Sequence, residues 1–151
     1  QKVFDEGLYD PANEPDIAYA HLFSYFRGEE WRTQKETQRL LDKYFTTKPN
    51  GIPGNDDTGT MSAWAIFNMI GFYPDCPGLP EYTLTTPVFN KVTIRLDPKW
   101  YKEKELVIES NRTQPGTLYI NKVLLNGKKF NQYRITHDEL VHSQRILFDL
   151  K

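Results

Sequence analysis

The apolar period changes once along this chain, near Pro80, and that switch limits the fold more than any other feature. Before it, apolar residues return at helical spacing. From Asp16 to Phe26, "DIAYAHLFSYF" puts Ala18, Leu22 and Phe26 on one face and Ile17 and Phe23 on an overlapping one. This predicts a helix that Gly28 ends. "EEWRTQKETQRLLDKYF" follows, with Thr37, Leu40, Leu41, Tyr44 and Phe45 on one stripe and charges opposite. Pro49, Gly51, Pro53 and Gly54 then break the chain. A third helix, about Met61 to Gly71, is apolar nearly all round, which predicts burial between other helices.

After Pro80 the period is two. "YTLTTPVFNKVTIRLD", "ELVIESN", "GTLYINKVLLNGKKF", "YRITHDEL" and "RILFDL" read as strands separated by turn residues. Asn126-Gly127 is the strongest short-range hairpin signal. The fold class predicted is α+β: N-terminal helices over residues 1–79, then an antiparallel β subdomain over residues 80–151. With 151 residues the chain is long enough for one domain with a real core. It opens on "QKVFDEGLYDP" without Met or a signal peptide, as a cleaved precursor or a piece of a larger protein would.

Composition removes several function classes. With 19 basic and 20 acidic residues and no Lys/Arg cluster, the chain has no nucleic-acid footprint. A single cysteine, Cys76, rules out an internal disulfide and a multi-cysteine zinc site. No apolar run approaches membrane-spanning length.

The chemistry concentrates in two acidic helix starts. In "GNDDTGTMS", Asn55, Asp56, Asp57, Thr58 and Thr60 crowd between Gly54 and the third helix. Capping by one such residue would satisfy free N–H groups and complement the helix dipole. Two adjacent carboxylates, however, resist joint ionisation unless a cation or strong donors accept them, which suggests a metal or a general base. Both readings stay open at this level. In "YDPANEPDIAYAH", Asn13, Glu14 and Asp16 stand at another helix start, with Pro15 at the first helical position. Asp16 reads as a cap. Should the two helices pack at the same end, Glu14 and Asp57 would share one mouth, and their oxygens would suit Ca²⁺ better than zinc.

Other features carry less. His21, His137 and His142 lack metal-ligand spacing and read as surface or satisfied residues. Cys76, between prolines, reads as an inert thiol. "NRT" at 111–113 matches a glycosylation acceptor. Trp31 and Trp64 have the surface to stack on a sugar, although tryptophan at such positions is more often core.

"GIPGNDDTGTMSAWAIFNMIGFYPDCPGLPEYTLTTPVFNKVTI" resembles the signature region of the family 92 glycoside hydrolases, the calcium-dependent exo-acting α-mannosidases. "NEPDIAYAHLFSYFRGEEWRTQK" is similar to that family's segment just upstream, and "LYINKVLLNGKKFNQYRITHDEL" to its C-terminal β region. The resemblance implies large secreted or periplasmic bacterial enzymes that join a β-sandwich to an (α/α)6 barrel. It also implies hydrolysis of α-mannosides with inversion, assisted by Ca²⁺. Residues 1–79 would be the last barrel helices. Asp57 matches the family's general base. Asn55 stands where an assisting Asp is common. Glu14 falls where members contact the leaving-group sugar or the cation, so Glu14 and Asp57 are the metal candidates. Asn13 replaces the His of α-1,2-specific members, which puts that linkage in question.

The same resemblance places the general acid and the sandwich upstream of Gln1, so this chain alone is expected to be inactive. Its expected partners are mannose-containing glycans and the upstream part of the same enzyme. Apolar surface left by missing helices would favour self-association. The alternative is a non-catalytic carbohydrate-binding or structural module.

Overall fold

The computed structural model describes residues 1–151, apart from the side chain of Glu14. A short helix, α1 (Lys2–Asp5), opens the chain and tucks Phe4 into the helical core. Residues 16–26 do not form the expected α-helix. They run as two 3-10 segments, Glu14–Asp16 and Tyr19–Tyr25. Their bonds close over three residues, as in His21 N–H to the Ala18 carbonyl (2.9 Å) and Phe26 N–H to the Phe23 carbonyl (3.1 Å). The tighter winding buries Ala20 and His21 and turns Leu22 and Phe26 outward.

Helix α2 (Glu30–Tyr44) lays Leu40, Leu41, Thr33, Gln34 and Thr37 inward, close to the predicted stripe. Helix α3 (Thr60–Ile70) is a wedge between two cores, and this accounts for its apolar residues all round. Trp64, Ala65 and Met69 pack with the helical cluster of Leu40, Leu41 and Phe4. Phe67 and Ile70 pack on the β cluster of Phe72, Leu84, Ile108, Ile146 and Phe148. Ile66 is half exposed, so the helix is not enclosed on every side as expected.

Gly71 ends α3 at φ 117°, and a Cβ there would meet Pro87 at 2.8 Å. Only glycine makes that left-handed exit against a proline ring. The chain continues into β1 (Phe72–Tyr73), which pairs antiparallel with β2 (Glu81–Leu84), and β2 with β7 (Arg134–Thr136). The 79/80 boundary therefore falls between two paired strands.

The second sheet has the order β3 (Lys91–Arg95), β4 (Glu105–Arg112), β8 (Arg145–Leu150), β5 (Ile120–Leu125), β6 (Lys128–Phe130). All its pairs are antiparallel except β4 with β8, which run parallel with Val107 opposite Arg145. The single run read from Tyr82 to Asp97 divides at Pro87, β2 and β3 going to different sheets. Asn126 and Gly127 take φ 50° and 80° and make the expected tight hairpin between β5 and β6. "THDE" is a capping box rather than strand: Thr136 and Glu139 cap each other's amides and start α4 (His137–Val141).

Candidate functional site

The loop before α3 is built by an unusual backbone. Asp57, Thr58 and Gly59 are consecutive residues in the left-handed region, at φ 48°, 62° and 91°. For residues with a Cβ this conformation costs about 1–2 kcal/mol each, so it persists only where the surroundings impose it. Gly59 occupies the N-cap of α3 and has no side chain to offer the first turn. Asp56 supplies it instead: its Oδ1 accepts the Ser62 N–H (2.8 Å) and the Ser62 hydroxyl (2.7 Å). The Ser62 hydroxyl first, then the Ser62 and Gly59 amides, hold the Asp56 carboxyl below the usual carboxylate range.

The two adjacent acids thus have different occupations. Asp56 caps the helix. The Asp57 carbonyl accepts the Thr60 hydroxyl (2.7 Å), while its carboxylate is exposed and accepts no hydrogen bond among the described residues. Asn55 is exposed beside it.

The second acidic start is tied together by Asp16, which is buried. Its carboxylate accepts the Asp10 N–H (2.9 Å) and the Asn13 side-chain amide (3.4 Å), so it braces the loop before it instead of capping a helix start as the sequence suggested. Asn13 itself is exposed. The Glu14 side chain lies outside the described residues. The two loops touch: a Cβ on Gly54, which sits at φ 65°, would lie 2.7 Å from the Ala12 Cβ. Segment 10–16 and segment 54–57 therefore meet at one end of the helices. An open groove of about 720 Å³, bordered by Thr46, Lys48, Asn50, Ile52, Gly54 and Asp56, runs beside them.

Asn55 and Asp57 offer hard oxygens of the kind Ca²⁺ takes. Among the described residues no group of three His, Cys, Asp or Glu side chains can hold a metal ion. Two side chains fall short of the roughly six to eight oxygens that Ca²⁺ requires.

Among the weaker candidates, Trp64, His21 and His137 resolve into structure. Trp64 is core; its indole N–H donates to the Ile17 carbonyl (3.1 Å) and its ring stacks on Phe45. His21 is fully buried, bonded to Asn68 (2.9 Å) and stacked on Tyr73 with ring centroids 4.4 Å apart. Burial lowers its imidazole to about 4, against the Asn68 bond, which raises it. His137 bonds Tyr82 (2.9 Å). Cys76 is a half-buried free thiol. Trp31 is exposed and lines a pocket of about 480 Å³ with Tyr119, Tyr133 and Glu30. That pocket lies at the N-terminal end of α2, whose 15 residues place it roughly 22 Å from the Asp57 end.

Sequence reasoning missed a polar joint between the two halves. Arg134 on β7 donates to Asp75 (3.2 Å), Thr83 (2.8 Å) and Glu81 (3.2 Å) and lies over the Tyr25 ring. No periodicity signals it, because its members come from four separate segments.

Over residues 1–151 the chain matches the model of the glycosyl hydrolase family 92 catalytic domain. It is 28% identical over 136 residues to an uncharacterized secreted glycosidase of Arthroderma benhamiae, covering 90% of this chain and 17% of that protein. It superposes at TM-score 0.87 on a family 92 α-mannosidase from Bacteroides thetaiotaomicron, with 32% identity, covering 96% of this chain and 19% of that one. The same enzyme in complex with mannoimidazole gives TM-score 0.86 and 31% identity, over 95% and 18%. A family 92 inverting mannosidase from Bacteroides thetaiotaomicron VPI-5482 gives 0.83 and 34%, over 97% and 19%. The chain spans less than a fifth of the length of each of these relatives. With its whole length inside that catalytic-domain match, the chain belongs to glycosyl hydrolase family 92.

Proposed function

We propose that this chain is the C-terminal part of an inverting exo-α-mannosidase and supplies the general-base side of its active site. The observation that carries the reading is the Asp57 carboxylate, exposed and without a hydrogen bond among the described residues, while Asp56 beside it is committed to the helix. A carboxylate left free at a helix start can take a proton from a water that attacks the anomeric carbon. The matching acid, about 6.5–9.5 Å away in an inverting enzyme, would come from the rest of the complete enzyme. Residues 1–79 would close an (α/α)6 barrel and residues 80–151 would brace it. Asn55 would orient the water, and Asn13 and Glu14 would meet the leaving-group sugar across the Ala12–Gly54 contact.

Asp57 and Glu14 would contribute to a Ca²⁺ site completed by ligands from the rest of the enzyme. When bound, the cation supplies Lewis-acid contacts to sugar hydroxyls. Mannosidase relatives and a secreted glycosidase relative support a mannoside substrate and an extracytoplasmic location. Alone, the chain would be inactive.

The test is mannose release from mannobioses by the complete enzyme, with Ca²⁺ and with chelator. Asp57→Asn should lower turnover by on the order of 10²–10⁴-fold with the fold intact. Near-normal turnover by that variant would remove the assignment. The Trp31 pocket favours a second reading, a carbohydrate-binding module. Mannoside binding by this chain alone that survives Asp57→Asn and disappears with Trp31→Ala would select it.

A further inference from the structure

We propose that Asp56 and Ser62 form a positioning clamp that holds the Asp57 carboxylate in its working direction; this rests on Asp57 being the base. Asp57, Thr58 and Gly59 trace a left-handed path that, left to itself, would relax to ordinary backbone. Five bonds fasten Asp56 and Asp57, at the start of that path, to the first turn of α3, one of them from the Thr60 N–H to the Asp57 carbonyl (3.3 Å). The Asp56 carbonyl accepts the Met61 N–H (3.1 Å), and the Asp56 carboxylate accepts both the N–H and the hydroxyl of Ser62. The Asp57 carbonyl accepts the Thr60 hydroxyl. The backbone on either side of the Asp57 side chain is thereby pinned, and the carboxylate is the free end. The pinning also keeps Asp56 from competing. A carboxylate that accepts two donors from Ser62 is directed at the helix, not at the water that Asp57 would activate.

A clamp differs from a plain helix cap in what it costs when lost. A cap affects stability. A clamp affects the orientation of one reacting group, and a misplacement of the order of 1 Å can cost about 10²-fold in rate.

The experiment compares four variants of the complete enzyme: Asp57→Asn, Asp56→Ala, Asp56→Asn and Ser62→Ala. Each is measured for kcat, KM and melting temperature on one mannobiose. Asp56→Ala should lower kcat at least tenfold with KM changed less than threefold. Asp56→Asn should recover most of that loss, because its side-chain carbonyl still accepts the Ser62 N–H. Ser62→Ala, which removes one bond of the pair, should fall between.

If Asp57→Asn keeps turnover, the base assignment fails and the clamp fails with it. If Asp57→Asn is inactive while Asp56→Ala and Ser62→Ala turn over normally, the clamp alone is overturned. Loss of melting temperature without loss of kcat would show a cap and nothing more. Should Asp56→Ala fail to fold, Asp56→Asn and Ser62→Ala decide the matter: normal kcat in Ser62→Ala, or no difference between the two, overturns the clamp.

Discussion

Replacing Arg134 by methionine removes one cation from the joint between the helical and β halves while keeping an apolar stem of similar length. In the native chain its Nη1 lies 3.2 Å from Asp75 and 2.8 Å from Thr83, and its guanidinium sits 4.4 Å from the Tyr25 ring centroid. The Asp75 side chain is 1% exposed, whereas Glu81 is 37% exposed. The Glu81 pair therefore contributes little, about 0–1 kcal/mol. Asp75 decides the result: a buried carboxylate stripped of its cation costs about 3–5 kcal/mol. With a urea slope near 2 kcal/mol/M, the midpoint should fall by about 1.5–2.5 M at pH 7.

The pH dependence gives a sharper check. Burial alone raises the Asp75 carboxyl, but hydrogen bonds from Thr83, Arg134 and Tyr25 outweigh it and leave Asp75 below its ordinary value. A depressed carboxyl stabilises the native chain above the unfolded value, about 3.9, and that contribution is lost as pH falls through the folded value. In the variant burial prevails, the carboxyl rises, and the penalty is relieved once it protonates. The gap between the two proteins should therefore narrow from pH 7 to pH 4. Urea unfolding of the 151-residue chain, followed by the fluorescence of buried Trp64, measures it. A gap below about 1 kcal/mol at pH 7 falls short of the cost of a stranded charge and would refute the reasoning. So would a gap that stays the same at pH 4.

Gly54→Ala should destabilise by about 1–3 kcal/mol, since its Cβ would fall 2.7 Å from the Ala12 Cβ at φ 65°; calorimetry showing no change would deny the contact between the two loops. His21 is held neutral well below its ordinary pKa, so the unfolded chain binds the extra proton between pH 6.5 and about 4. Stability should fall as pH drops through that window, by up to roughly 3 kcal/mol, and His21→Gln should flatten the slope. Leu22, Phe26 and Ile66 stand exposed on the helical half, and the isolated chain should self-associate in sedimentation, whereas a clean monomer at high concentration would count against covered helices in the complete enzyme.

The β half was legible because its signals are local. Alternation fixes which side of each strand is apolar, and Asn126-Gly127 fixes a turn whose two positive φ angles few other pairs tolerate. The candidate loop was legible for the same reason: glycines and adjacent acids at a helix start announce a backbone with special work. What local signals could not give was which acid does which task. Asp56 and Asp57 are identical in chemistry, and only the three-dimensional path of residues 57–59 turns one toward Ser62 and leaves the other exposed and without a hydrogen bond among the described residues. Composition likewise could not separate an α-helix from 3-10 turns between Glu14 and Tyr25, because spacing of three and of three to four residues overlap over so short a run.

The sequence by itself determined the change of period at Pro80, the hairpin, the existence of the apolar third helix and the family. Each depends on neighbours within a few residues or on ordered motifs. Tertiary structure alone decided that β4 and β8 pair in parallel although partners such as Val107 and Arg145 stand 38 positions apart, that β2 and β3 join separate sheets, and that Arg134 joins Asp75 to Tyr25. Those outcomes rest on contacts between distant segments, whose free energy depends on burial and geometry that no single stretch of the chain contains.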